Sequence, residues 1–153
     1  KYKVPIVLMY SKEKTPRTSK KRIEYEDVVK TIKNFFIERL KFAESKGINK
    51  KQIILDPGMG FFISGKKKYS FKIINRISEF HEFGIPLLLG PSKKSFLSNV
   101  TRGKFLNFEE RDIPCTVVSS FALWRGVSIL RYHEVNQGRH LIDTIELMKR
   151  NLK

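Results

Sequence analysis

Hydrophobic and polar positions follow one rhythm along the chain. A short, nearly continuous apolar run is followed by a polar turn. After it comes a longer segment with apolar residues at three- and four-residue spacing. This happens four times. The first run is Val4, Ile6, Val7, Leu8, Met9 and Tyr10, interrupted only by Pro5. Runs of this kind suit parallel strands buried on both faces. A polar, basic loop is predicted over residues 11–22. A helix over 24–46 follows, from the spacing of Val28, Ile32, Phe35, Phe36, Leu40 and Ala43, with Gly47 at its C-terminal cap. Residues 52–56 are the second strand, 57–65 a glycine-rich turn, and 69–83 a helix ended by Gly84. Residues 85–90 are the third strand, with a short helix starting near Lys94 and a basic loop over 99–108. Residues 114–125 form a helix with Pro114 in its first turn. Residues 127–133 are the fourth strand and 136–151 the last helix.

Strands separated by helices imply βαβ units and a parallel sheet. The fold class is therefore α/β. The chain has no internal sequence repeat, low-complexity tail or visible domain boundary, so residues 1–153 read as one domain. That length buries a real core but falls short of the roughly 250 residues of a complete (β/α)8 barrel. The first residue is Lys1 and the first methionine is Met9, from which a missing N-terminal part is expected.

Charge adds a second constraint. Lys and Arg number 31 against 15 Asp and Glu, a formal +16, and 21 of the cations are lysine. Such a balance attracts anions: nucleic acid, acidic lipid or phosphorylated ligands. It is also what AT-rich coding produces. No arginine–aromatic interleaving points to nucleic acid, so no nucleic-acid partner is expected. The single cysteine, Cys115, allows neither an internal disulfide nor a cysteine-based metal site. No apolar run approaches the roughly 20 residues of a membrane span. These observations suggest a cytoplasmic protein with no membrane partner.

The polar residues with chemical potential cluster just after the strands. Asp56 follows the second, Ser92-Lys93-Lys94-Ser95 the third, and Arg131 and His133 end the fourth. In a parallel α/β protein all these ends share one face, and that face carries the site. Asp56 precedes Pro57-Gly58, which by itself marks a turn. A carboxylate ending a buried strand, however, needs donors, and an amino-substituted heterocycle supplies a matched pair of N–H groups. Lys93 and Lys94 read either as a solvated pair or as partners of an anion docked at a helix start. Arg131 and His133, two apart on a predicted strand, would face the same way and clamp a phosphate. His81 and His140 look like surface residues on helices. Tyr69, Trp124 and the Phe35/Phe36 pair read as core or interface. There is no GxGxxG, no Gly-x-Ser-x-Gly and no cysteine–histidine nucleophile pair.

Three segments in order resemble the dihydropteroate synthases, the sulfonamide-target family of folate synthesis. Residues 54–61 (Ile-Leu-Asp-Pro-Gly-Met-Gly-Phe) are similar to the family's Asp-Pro-Gly-x-Gly-Phe segment. Residues 88–95 (Leu-Leu-Gly-Pro-Ser-Lys-Lys-Ser) resemble its Gly-x-Ser-Arg-Lys-Ser segment. Residues 129–135 (Ile-Leu-Arg-Tyr-His-Glu-Val) resemble its Arg-Val-His-Asp-Val ending. Leu8-Met9, Pro16-x-Thr18 and Tyr25-x-Asp27-Val28 match the preceding strand and helix. The likeness spans nearly the whole chain.

The resemblance implies a TIM (β/α)8 barrel, of which this chain covers about the last four βα units, with the N-terminal half absent. It implies a transferase that condenses 6-hydroxymethyl-7,8-dihydropterin diphosphate with 4-aminobenzoate, releasing diphosphate, with Mg2+ liganded from the absent half and none of its ligands in this chain. Carried over residue by residue, Asp56, Lys94, Arg131, Met9 and Gly90 would bind the pterin, and Phe61, Lys93 and Ser95 the aminobenzoate. Arg131 and His133 would bind diphosphate, and with Lys94 stabilise its departure. No protein nucleophile is implied. A homodimer through the last helices is implied too. Five positions depart from the family: Tyr10 for His, Phe62 for Gly, Lys93 for Arg, and Pro114-Cys115 for a small pair. The isolated chain is expected to be inactive. Two other readings stand beside this one. One is a methyltetrahydrofolate methyltransferase-type barrel, and the other a non-catalytic remnant or basic binding protein.

Overall fold

Parallel pairing organises the computed structural model, which describes residues 3–13, 15 and 19–152. β1 (Ile6–Met9) lies beside β2 (Ile53–Asp56), from Ile6 opposite Ile53 to Met9 opposite Asp56. β3 (Leu88–Leu89) and β4 (Ile129–Leu130) pair likewise. The two pairs join where Leu55 bridges Leu87 and the Leu55 N–H donates to the Pro86 carbonyl at 3.0 Å. The strand order is thus the chain order, with every pairing parallel. The predicted Pro16-x-Thr18 match lies outside the described residues. Among the described residues nothing pairs with the outer edges of β1 and β4, and Ile6 and Val7 are 39% and 49% exposed.

Each strand is shorter than the span predicted for it. Pro5 has no N–H to give a ladder, and Val4 is solvent-exposed. Leu55, Leu87 and Leu89 from the sheet form one core with Val28, Ile32, Phe36 and Phe80 from the helical layer.

α1 (Val28–Ser45) starts four residues later than the periodicity suggests. Asp27 stops it: its Oδ1 accepts the N–H groups of Val29 and Lys30 at 2.9 and 3.0 Å and takes Arg76 Nη1 at 2.9 Å. The residues before it are used elsewhere. Glu24 pairs with Lys66 and Lys68, and Tyr25 donates its hydroxyl to the Ile63 carbonyl at 2.7 Å. The Lys30 amide, then Arg76, hold the Asp27 carboxyl below its ordinary value. Asp27→Ala should therefore cost about 1 kcal/mol at neutral pH. A depressed carboxylate stabilises above its unfolded-state pKa and loses that contribution as pH falls through the folded-state value. The difference between the two proteins in urea unfolding should shrink on acidification, and a pH-independent difference would refute the cap.

The predicted helix over 69–83 divides in two. α2 (Lys68–Asn75) ends at Arg76, and the chain continues as a 3₁₀ helix, Ile77–Phe83. The buried residues there are Ile77, Phe80 and Phe83, a strict three-residue repeat that lines up only with three residues per turn. Phe80 and Phe83 meet the Phe36 ring edge-on at 5.9 and 5.8 Å. Gly84 closes the turn in the left-handed region, φ 59°.

α3 (Asp112–Trp124) follows a 3₁₀ turn, Glu109–Arg111, and carries Pro114 in its first turn, where its missing N–H donor is tolerated. α4 (Val135–Arg150) packs against it. Cys115, Val118, Ser119 and Ala122 point inward, whereas Ile113, Val117, Phe121 and Trp124 form an exposed stripe, so Trp124 is not a core residue. Tyr69 and Phe36 are buried. His81 and His140 are exposed, as their charged helical neighbours suggest.

Candidate active site

The C-terminal ends of β1, β2 and β3, and the chain just after β4, meet on one face. Asp56, the last residue of β2, sits opposite Met9 in the ladder. Its Oδ1 accepts the Gly58 N–H at 2.8 Å. Burial pushes the Asp56 carboxyl above its ordinary value, while the Gly58 amide and the charges of Lys94 and Arg131 pull the other way. Lys94 mirrors it: burial lowers its pKa, Asp56 opposes that, and Arg131 adds to it. The Lys94 ammonium donates to the Met59 carbonyl at 3.3 Å and stands 5.0 Å from the centre of the Phe62 ring. Phe62, in place of the family's glycine, is thus the wall against which Lys94 rests. Asp56 and Lys94 act on each other, and the charge of Arg131 acts on both.

Arg131 extends the ladder without being in the strand. Its N–H donates to the Leu89 carbonyl at 2.9 Å. Its side chain crosses Gly90, where an added Cβ would lie 3.6 Å from the Arg131 Cβ. Gly90 contributes by having no side chain there.

The expectation that Arg131 and His133 share one face of a strand is corrected. β4 ends at Leu130, so the alternation of side chains stops before either residue. Arg131 lies over Gly90, within electrostatic reach of Asp56 and Lys94. His133 turns to Ser92, whose buried hydroxyl lies 2.8 Å from Nδ1 and accepts the His133 N–H at 3.2 Å. The edge of Phe108 closes over the imidazole, with ring centres 6.1 Å apart. The part played by Ser92 was not read from the sequence, because 41 residues separate the partners.

Lys93 is the second correction. It does not border a cavity with Phe61 and Ser95. Its ammonium lies 3.5 Å from both Asp112 Oδ1 and Glu134 Oε1, and 4.8 Å from the centre of the Phe108 ring. Burial works against its charge, but Asp112 and Glu134 outweigh that and raise its pKa. Its backbone is left-handed, φ 54°, and its carbonyl accepts Arg111 Nη1 at 3.0 Å. Left-handed non-glycine backbone costs free energy and persists where surrounding contacts hold it. Here those contacts turn two adjacent lysines apart: Lys94 into the site, Lys93 away from it.

The predicted short helix at Lys94 is one 3₁₀ turn, Ser95–Leu97. Ser95 and Phe61 line a cavity of about 700 Å³ together with Lys20, Arg22 and Lys66–Lys68. They also line a smaller one, about 270 Å³, with Met59, Phe62 and Lys94. The cations around the larger cavity were not singled out in the sequence, although three consecutive lysines after a glycine-rich turn were visible there. Tyr10, where the family often has histidine, is buried and stacks edge-on against Phe35 at 5.3 Å. Its hydroxyl lies 3.3 Å from that of Tyr25, whose own proton goes to Ile63. Among the described residues no group of three or more His, Cys, Asp or Glu is arranged to hold a metal ion. No helix among them is long and apolar enough to cross a membrane.

Parallel βα units with a half-buried acid, a lysine and an arginine at the strand ends define a barrel-type α/β protein. Its site suits a hydrogen-bonding heterocycle and an anion. A family model described as pterin binding enzyme matches residues 1–133, and the chain belongs to that family. It is 33% identical over 152 residues to the dihydropteroate synthase of Escherichia coli K12, covering 95% of this chain and 48% of that protein. The dihydropteroate synthase of Stenotrophomonas maltophilia with active site-bound imidazole superposes with a TM-score of 0.86 at 28% identity, over 96% of this chain and 54% of that one. The Xanthomonas albilineans enzyme in complex with 7,8-dihydropteroate gives 0.81 at 28% identity, over 96% and 51%. The chain therefore spans about half the length of these relatives. The fold is that of four βα units of a dihydropteroate synthase-type (β/α)8 barrel.

Proposed function

We propose that this chain is the C-terminal part of a single pterin-binding barrel and that the complete protein is a dihydropteroate synthase. In that reading it joins 6-hydroxymethyl-7,8-dihydropterin diphosphate to 4-aminobenzoate in folate synthesis. The observation that carries the reading is the Asp56–Lys94–Arg131 cluster at the strand ends. Asp56 accepts a pair of pterin N–H groups, Lys94 holds another ring edge, and Met9 and Gly90 leave a flat apolar floor. Arg131 and His133 hold the diphosphate, with His133 oriented by Ser92. The carbon–oxygen bond to diphosphate breaks, the aminobenzoate nitrogen bonds to the pterin methylene, and that nitrogen releases a proton. Cations that meet the charge growing on the leaving group supply the rate, together with positioning of the amine by Phe61 and Ser95. No protein nucleophile is needed.

Mg2+ belongs to the same proposal. The described residues offer no ligand set for it, and its protein ligand would come from outside this chain. A cytoplasmic homodimer completes the reading; the exposed α3 stripe of Ile113, Val117, Phe121 and Trp124 supports the dimer. A methyltransferase-type pterin barrel is less well supported, because the segments around Lys94 and Arg131 resemble the synthase.

Calorimetric titration with 6-hydroxymethyl-7,8-dihydropterin diphosphate tests the site. Binding is expected, and Lys94→Ala or Arg131→Ala should each weaken it by at least about tenfold, the loss of one charge-assisted contact. Binding indifferent to both substitutions would remove the assignment. The chain by itself should not turn over; turnover by it would overturn the half-barrel view.

A further inference from the structure

We infer that Ser92 is a positioning residue that sets where the His133 imidazole keeps its proton. The Ser92 hydroxyl donates to Nδ1, so neutral His133 carries its proton on Nε2 and offers it to an anion at the strand ends. This rests on the synthase reading only for that anion being diphosphate.

A serine hydroxyl has one proton to give and accepts through its lone pairs. Ser92 Oγ meets two groups of His133. The His133 backbone N–H can only donate, and it does so at 3.2 Å. Nδ1, at 2.8 Å, can donate or accept. Among the described residues that hydroxyl has no other hydrogen-bond partner, and Ser92 is only 3% exposed. With the proton on Nδ1, both His133 groups would donate to Oγ. The hydroxyl proton would then be buried without an acceptor, which is costly. With the hydroxyl donating to Nδ1, every group is satisfied. The neutral ring then has its N–H at Nε2. His133 is exposed, and Nε2 has no partner among the described residues. The nitrogen that Ser92 does not hold is the one left for a ligand.

The pair is held from both sides. Ser92 and Lys93 are the central residues of a turn closed by the Lys94 N–H and the Pro91 carbonyl at 3.2 Å. The left-handed Lys93 backbone in that turn is tied through its carbonyl to Arg111. One residue further on, Lys93 meets Glu134 at 3.5 Å, so the neighbours of Ser92 and His133 are paired as well. Phe108 stands edge-on to the imidazole and also faces the Lys93 ammonium. The ring therefore has a fixed place as well as a fixed proton. Diphosphate oxygens only accept. An Nε2–H facing them makes a charge-assisted hydrogen bond, whereas the other tautomer would turn a lone pair on them.

Long-range proton–nitrogen NMR of the ligand-free chain reads the tautomer, because protonated and bare ring nitrogens differ widely in nitrogen shift. The His133 signals are assigned from their loss in His133→Gln. At about pH 9, where an imidazole is neutral, His133 should show a protonated Nε2 and a bare, hydrogen-bonded Nδ1. In Ser92→Ala the ring should become a mixture of tautomers. Ser92→Thr, which keeps the hydroxyl, should restore the single form. Calorimetry with inorganic diphosphate at the same pH should give about tenfold weaker binding for Ser92→Ala, one charge-assisted contact, with recovery in Ser92→Thr. Circular dichroism verifies the fold of both variants, and the tautomer of the unaltered chain is read whether or not they fold. A proton on Nδ1 in that chain would overturn the inference, as would a single Nε2–H form that persists in Ser92→Ala. Diphosphate affinity indifferent to Ser92→Ala would overturn the part Ser92 plays in holding the anion. The tautomer is measured without ligand, so failure of the dihydropterin diphosphate titration sinks the synthase reading and leaves the proton's position to be judged by NMR.

Discussion

Asp56→Asn should make the chain more stable near neutral pH and weaken dihydropterin binding by about 100-fold, with one hydrogen bond lost and the charge removed from the other. Both effects have one cause. Burial raises the Asp56 carboxyl pKa in the folded state, more than the Gly58 amide, Lys94 and Arg131 lower it. A group whose folded-state pKa is raised contributes fully below its unfolded-state value. That contribution is lost as pH rises through the folded-state value. At neutral pH the ionised carboxylate is therefore a burden that asparagine does not carry. Asparagine keeps an oxygen for the Gly58 N–H, and half-buried Lys94 keeps its bond to the Met59 carbonyl. The gain should be roughly 1 kcal/mol. It should vanish below the ordinary carboxylate range, where aspartate is neutral in both states. Urea unfolding at several pH values measures it, and a neutral-pH loss of stability would show that the carboxylate is held for structure. The binding half follows because the amide presents one donor and one acceptor where a pair of N–H groups needs two acceptors. A strained or desolvated charge kept at the cost of stability is common at functional sites.

Gly58→Ala should cost roughly 3 kcal/mol or more. Gly58 has φ 72°, and a Cβ there would lie 2.5 Å from the Tyr10 carbonyl oxygen. That oxygen cannot retreat easily, because the Tyr10 N–H is bonded to the Asp56 carbonyl at 2.9 Å and the Tyr10 ring is buried. Gly47 is the control. It has the same φ, 72°, with nothing within 4 Å of a Cβ. Gly47→Ala should lose only about 1 kcal/mol, the conformational part. Comparing the two by denaturation isolates the clash, and equal costs would show that the loop after β2 yields.

Much of this was legible in the chain because it is local. Apolar runs announce parallel strands, and the order of runs and periodic segments announces βαβ units. Candidate residues fell after the strands because parallel connection leaves all those ends on one face. Boundaries were less legible. Asp27 caps α1 because it has Arg76 to answer, and Ile77, Phe80 and Phe83 select a 3₁₀ helix because Phe36 packs against that ridge. Neither partner is near in sequence.

The sequence by itself determined the α/β class, the pterin-family resemblance and the involvement of Asp56, Lys94, Arg131 and His133 as candidates. Tertiary structure decided what each side chain faces. β4 ends before Arg131, so Arg131 and His133 part, one to Asp56 and Lys94, the other to Ser92. Lys93 and Lys94 are adjacent, yet a left-handed backbone sends one to Asp112 and Glu134 and the other toward Asp56. Lys20 and Arg22 meet Lys66–Lys68 only because Ser64 and Gly65 join two distant loops. Spacing reports which residues share a strand or a turn of helix. Charge pairing and burial are settled by groups tens of residues away, and those exist only once the chain has folded.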